Sequence, residues 1–279
     1  MMSDMLDLIG TSLSIEGPWP SIVATGQPLV IVANHPFGIG DGIALCALAE
    51  ALGRPYRILV NRDFLKVPEV GEVVLPVDFS ETEEAMRTNL ATRAMARRLL
   101  KDGVTLVIFP AGGVATSLRP FGPAEELPWK LFTARLVQQA EASVLPVFFE
   151  GQNSRLFQLA SRVSLPLRLS LLVSEFRRFA GARVRVHVGA VVPFEALEHR
   201  GDRRRLTDEL YARVHKLAPG NRSKELAELR PSPIVDRPRF PWEPRASQPV
   251  IEVQTRGLSG ATAPTKGRQA LLAASLRQK

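Results

Sequence analysis

Pro28-Leu29-Val30-Ile31-Val32-Ala33 runs straight into Asn34-His35-Pro36-Phe37-Gly38-Ile39-Gly40-Asp41-Gly42, and an apolar stretch continues to Leu52. The first six residues are apolar without alternation, with β-branched Val30, Ile31 and Val32 among them, which predicts a buried strand. Gly42 to Leu52 holds almost no polar residue and predicts a buried helix beginning near Asp41. A buried strand followed by a buried helix is a βα unit. The loop between them carries one histidine and one aspartate, with two glycines relaxing its backbone restrictions. A histidine near its ordinary pKa is a general base at neutral pH, and a carboxylate can fix its tautomer and stabilise its protonated form. The residues alone leave a second reading open, with Asp41 capping the helix and His35 a hydrogen-bonded loop residue.

Working outward, Arg57 to Val60, Val73 to Val77, Val104 to Phe109, Ser143 to Phe149 and Arg183 to Val188 read as strands. Glu81 to Lys101 shows helical spacing through Met86, Leu90, Ala94 and Leu99, and a second helix is expected within Leu131 to Ala140. This alternation predicts an α/β fold with a largely parallel central sheet flanked by helices. Residues 1–19 are set apart as an N-terminal segment, amphipathic through Met5, Leu6, Leu8, Ile9 and Leu13 and closed by Gly17-Pro18-Trp19-Pro20. Residues 20–218 form the expected catalytic domain. From Pro219 to Pro264 the chain holds eight of its 22 prolines, so 219–279 is expected to be a basic, mostly irregular tail.

Thirty-six Lys and Arg against 28 Asp and Glu give a formal net charge of +8. Such a surface attracts an anionic bilayer or an acidic carrier protein. No run interleaves aromatic and basic residues as a base-stacking platform does, so nucleic acid is not expected as a partner. The single cysteine, Cys46, lies in the apolar helix and excludes an internal disulfide or a cysteine zinc site, and no metal is expected. No apolar run reaches 18 residues, and the first residues are acidic where a leader would be basic. The expectation is a cytoplasmic protein, peripheral to a membrane.

Asn34-His35 followed by Asp41-Gly42 resembles the first motif of the glycerolipid acyltransferases, the lysophosphatidic acid and lysophospholipid acyltransferase superfamily. The form NHPFGxxDG is similar to its haemolysin-like branch. That family usually places four residues between His and Asp, and here there are five. Val107 to Gly113 (VIFPAGG) is similar to the third motif, FPEG, with Ala111 for glutamate and Val114 where arginine follows. Arg119 lies just beyond, either a solvated loop residue or the missing charge. Val144 to Ser154 (VLPVFFEGQNS) resembles the fourth motif, in which Pro146 marks an edge, a start or a bulge of its strand. Glu72 to Phe79 lies in the place of the second motif and lacks its arginine.

The resemblance implies an O-acyltransferase that moves a fatty acyl group from acyl-CoA or acyl-carrier protein to the hydroxyl of a lyso-lipid at a membrane surface. No other cofactor is implied. His35 and Asp41 are the implied catalytic pair. Asn34, Gly38, Gly40, Phe109, Pro110, Gly112, Gly113, Glu150, Asn153 and Arg62 are the implied substrate-binding residues, Arg62 or Arg87 to hold a phosphate, and either Gly112 and Gly113 or the Phe37 to Gly40 loop to offer N–H groups to the oxyanion. A competing expectation is a lipid- or membrane-binding protein on the same fold that has lost turnover.

Overall fold

A computed structural model describes residues 1–19, 26–62, 71–78, 80, 82–119 and 122–220. The expected tail beyond Gly220 and the helix expected near residues 269–276 lie outside the described residues. The main sheet has seven strands: β1 (Ser12–Glu16), β2 (Leu29–Ala33), β3 (Tyr56–Asn61), β4 (Val74–Val77), β5 (Thr105–Ile108), β8 (Ser143–Phe149) and β9 (Arg183–Val188). Their spatial order is β1-β9-β8-β2-β5-β3-β4, with a separate hairpin of β6 (Thr116–Ser117) and β7 (Ala124–Glu125). Within the main sheet every neighbouring pair is parallel except β8 with β9.

Alternate residues of β2 enter two different cores, because a central strand of a parallel sheet is covered on both faces. Leu29, Ile31 and Ala33 join the layer containing α2 (Ile39–Ala51), while Val30 and Val32 join the layer built from α3 (Glu83–Lys101), α4 (Leu131–Ala140) and α7 (Arg203–His215). That explains why the β2 sequence shows no alternation. α2 buries nine of its thirteen residues, Cys46 among them, and the apolar surroundings push the Cys46 thiol well above its ordinary pKa.

Two sequence expectations change. α3 forms where its spacing placed it, but its inward residues are Ala85, Thr92, Ala96 and Leu100, whereas Met86 and Leu90 are 63% and 52% exposed. Small alanines let the helix lie close to the sheet, so its apolar count did not mark its buried face. The division at residue 19 does not separate packing units either. α1 (Met2–Leu8) buries Met2 and Leu6 in the α2 layer, and β1 pairs with β9 from Ser12↔Arg183 to Glu16↔His187.

Pro146 sits in β8, inside the sheet, with β2 on one side. On its β9 side the pairing passes from Val147↔Val188 to Val144↔Val192, so three residues oppose two. This is a bulge, one of the few places where a strand accepts proline. Gly189 lies in it, where an added Cβ would stand 2.7 Å from Pro146 Cγ.

Two helices, α5 (Arg155–Val163) and α6 (Leu165–Phe179), had no sequence expectation. Ser154 caps α5, its hydroxyl accepting the Phe157 N–H, and Glu175 of α6 accepts from the Ser154 N–H and hydroxyl. The pair is thereby tied across its shared turn.

Candidate active site

The chain leaves β2, β5 and β8 at the same edge of the sheet, where ligands of open α/β sheets gather. His35 is two residues beyond β2, Phe109 follows β5, and Glu150 follows β8. His35 Nδ1 lies 3.0 Å from Asp41 Oδ1, and the Asp41 side chain is fully buried. The pair is an ion-pair contact by distance, and neither atom makes an aligned hydrogen bond among the described residues. Asp41 is the third residue of α2, so it does not cap the helix in the way the sequence allowed; its Oδ2 reaches back and accepts the Phe37 N–H at 2.8 Å. The imidazole stacks on Phe109 with ring centroids 4.0 Å apart and planes 23° apart. One face of the ring is thus held by an aromatic and one nitrogen by a carboxylate.

The loop backbone is held as firmly. The His35 N–H donates to Glu126 Oε1 at 2.9 Å, and the His35 carbonyl accepts from the Ala115 N–H at 2.8 Å. Glu126 Oε2 accepts from the Trp129 indole at 3.0 Å and lies 3.3 Å from His215 Nε2 on α7. Sequence reasoning missed Glu126, because no spacing relates it to His35; the two are 91 residues apart.

Gly38, at φ 84°, adopts a backbone that L side chains avoid, and Leu172 and Val114 press on it. Gly40 lies against Phe179, whose ring atoms would be 2.5 Å from an added Cβ. These two glycines let the loop fit beneath α6. No side chain caps α2, so the Ile39 and Gly40 N–H groups of its first turn have no acceptor within the helix.

Several residues expected to bind substrate have other tasks. Asn34 is buried and clamps β2 to β8, donating to the Phe149 carbonyl at 2.9 Å and accepting the Phe149 N–H at 2.7 Å. Glu150 pairs with Arg185 and lies 3.3 Å from His187 Nε2, a cluster on β9. Arg62 pairs with Asp78 at 2.7 Å and Arg87 with Glu83 at 3.4 Å, so neither charge is uncommitted. The Gly112 N–H donates to Phe109 O and the Pro110 carbonyl accepts the Lys130 N–H, which closes the turn and leaves Gly113 as the donor candidate of that loop. Asn153 is buried, and its Nδ2 has no hydrogen-bond partner among the described residues.

The departures in the third motif have a packing reason. Ala111 is 1% exposed in the apolar layer with Trp129, a place without room for a carboxylate. Where Val114 replaces arginine, a guanidinium arrives from elsewhere: buried Arg168 of α6 donates to the Val114 carbonyl at 2.9 Å and to Thr116 Oγ1.

Residues 19–150 match the Acyltransferase family model. The matched segment covers just under half of the chain and is similar to that family. The match to this acyltransferase domain ends at Glu150, so α5, α6, β9 and α7 lie beyond it. The chain is 28% identical over 130 residues to a lyso-glycine lipid O-acyltransferase of Phocaeicola vulgatus, covering 45% of this chain and 43% of that one. It is 26% identical over 147 residues to a lyso-glycine lipid O-acyltransferase of Bacteroides thetaiotaomicron, covering 51% and 50%. The chain spans about half the length of these curated relatives. The crystal structure of the 1-acyl-sn-glycerophosphate (LPA) acyltransferase PlsC from Thermotoga maritima superposes with a TM-score of 0.48 at 16% identity, covering 82% of this chain and 76% of that one.

Proposed function

We propose that this protein is an acyltransferase that moves a fatty acyl group from a thioester donor, acyl-CoA or acyl-carrier protein, to the hydroxyl of a lyso-lipid, with His35 as general base. The observation that carries this reading is the His35 Nδ1–Asp41 Oδ1 pair at 3.0 Å. Asp41 holds the proton on Nδ1, which leaves Nε2 to take the proton of the acceptor hydroxyl. The alkoxide oxygen attacks the thioester carbonyl, and the tetrahedral oxyanion is stabilised by N–H groups at the start of α2, with Gly113 as the alternative donor. Collapse breaks the carbon–sulfur bond, and the proton on His35 passes to the departing thiolate. No acyl-enzyme forms.

Action at a membrane surface belongs to the same proposal. Among the described residues no helix is long and apolar enough to cross a membrane. Leu156, Leu159 and Val163 of α5, spaced three and four apart, are exposed, as are Leu165, Leu169 and Val173 of α6. Val163 is 66% and Val173 is 60% exposed. Exposed apolar rows beside arginines suit a helix pair lying in an anionic lipid interface. α6 also carries Leu172 over Gly38, which brings these helices against the catalytic loop.

The test is incubation of labelled acyl-CoA and acyl-carrier protein with a panel of lyso-lipids, using wild type and His35→Ala. Product from wild type alone supports the enzyme. Product at the wild-type rate from His35→Ala removes the mechanism.

A further inference from the structure

Beyond the family match, α5 presents Arg155, Gln158, Leu159 and Arg162 at positions i, i+3, i+4 and i+7, a single helix face. That face lines a depression of about 140 Å³, closed on the other side by Arg119, Gly122 and Pro123 of the β6–β7 connection and by Gln152. The volume far exceeds the ~10–15 Å³ that one water requires. Three guanidinium groups share this small space, and none of them pairs with a carboxylate among the described residues.

Among the described residues, two buried donors there lack partners. Gln158 is 4% exposed; its Oε1 accepts the Ser117 N–H at 2.7 Å, and its Nε2 has no hydrogen-bond partner. Arg162 Nη1 is likewise buried without one. A buried donor left unsatisfied costs free energy that an anionic acceptor recovers. Gln152 Oε1 accepts the Ala124 N–H at 2.9 Å, so both glutamines are fixed to the hairpin.

The hairpin also ties the depression to the catalytic loop. Ala115 donates to the His35 carbonyl, and two residues later Ser117 donates to Gln158. From Gln152, the preceding Gly151 packs against the Phe37 ring.

Resting on the acyl-transfer reading, we infer that this depression is the headgroup site of the acceptor. It takes the anionic oxygens of a lyso-lipid, Arg119, Arg155 and Arg162 supply the counter-charge, and Gln158 Nε2 supplies a directed donor. The headgroup is thereby held on the α5 side while the hydroxyl faces His35. Guanidinium groups match planar or tetrahedral oxyanions through paired N–H donors.

The test uses Arg155→Gln, whose exposed side chain leaves the fold untouched, and Arg155→Gln with Arg162→Gln. Acceptors of equal chain length are compared: a lysophosphatidate, an N-acyl amino-acid lyso-lipid with a free carboxylate, and uncharged monoacylglycerol. KM for the anionic acceptors is expected to rise about tenfold per arginine removed, the scale of one charge-assisted hydrogen bond. KM for monoacylglycerol and for acyl-CoA should stay unchanged. An equal rise for monoacylglycerol, no rise at all, or a rise confined to acyl-CoA, whose own phosphates would then be the source, overturns the assignment.

Titration with inorganic phosphate, followed by 31P line broadening, separates the two claims. Wild type and His35→Ala should bind alike and the double variant should not. Arginine-dependent binding without any turnover would sink acyl transfer and keep the anion site. Turnover with binding indifferent to the arginines would do the reverse.

Discussion

Asp41 presents Oδ1 to His35 at 3.0 Å and Oδ2 to the Phe37 N–H at 2.8 Å, so one carboxylate sets both the imidazole and the loop that carries it. An asparagine at 41 could keep the Phe37 bond through its carbonyl. Its amide would then donate toward Nδ1 and force the proton onto Nε2, the atom that must accept one. Asp41→Asn is therefore expected to melt within a few degrees of wild type while kcat falls about a hundredfold to ten-thousandfold. A variant with more than half of the wild-type kcat would remove Asp41 from the mechanism.

Glu126 joins the His35 N–H, the Trp129 indole and His215 through one buried carboxylate. Truncation to alanine strands these groups, at a cost of about 1–3 kcal/mol for each buried donor left unsatisfied. Glu126→Ala should lower both Tm and kcat, and Glu126→Gln, which keeps an acceptor for His35, should recover part of kcat. Equal kcat in all three proteins would show that the strand end needs no such tether.

Gly40→Ala places a methyl group 2.5 Å from Phe179 ring atoms in a packed layer. Overpacking of this kind costs about 1–3 kcal/mol. Thermal unfolding should report that loss, and Phe179→Leu in the same chain should return some of it, because the two positions share one contact. Strictly additive losses would mean that the clash is relieved elsewhere.

The carboxylate of Glu50, on α2, receives the Met2 N–H and the Ser3 N–H at 3.0 Å each. Burial alone raises its pKa, but these N–H groups and the Ser3 hydroxyl outweigh burial and hold it down to about 2 from an ordinary 4.5. A lowered folded-state pKa contributes stability that is complete above about 4.5 and is lost as pH falls toward 2. Wild type should therefore out-melt Glu50→Gln at pH 6, with the gap closing by pH 2. A gap of constant width would contradict this.

The exposed rows of α5 and α6 predict peripheral binding. Leu169→Glu with Val173→Glu changes two residues that are 53% and 60% exposed, so folding should be unaffected. Co-flotation with vesicles rich in anionic lipid should fall at least tenfold, since buried apolar area and surface charge drive such binding. Undiminished flotation would place the lipid contact elsewhere.

The sheet was legible because buried parallel strands are short apolar runs: β8 and β9 fall where Ser143 to Phe149 and Arg183 to Val188 placed them. His35 and Asp41 were legible because one loop carries both. Glu126 and Arg168 were not, since each reaches the site from a distant segment through the fold. α6 was hidden by Pro166 near its start, a position where proline is compatible with a helix, and by leucines that point outward. Arg62 and Glu150 were plausible by type, and their pairing with Asp78 and Arg185 is a relationship that no local spacing could show.

β1 finds its partner late. Ser14 and Arg183 are 169 residues apart yet touch along the β1–β9 ladder. At ribosomal rates of about 5–20 residues per second, that separation corresponds to on the order of ten to thirty seconds of synthesis. Until β9 emerges, β1 has no strand to pair with, and the β8 edge next to the catalytic strand is bare. An unpaired edge of this kind is open to other chains. Maturation of the site therefore has a built-in order, in which the β8 edge beside the catalytic strand is covered only once β9 has been made.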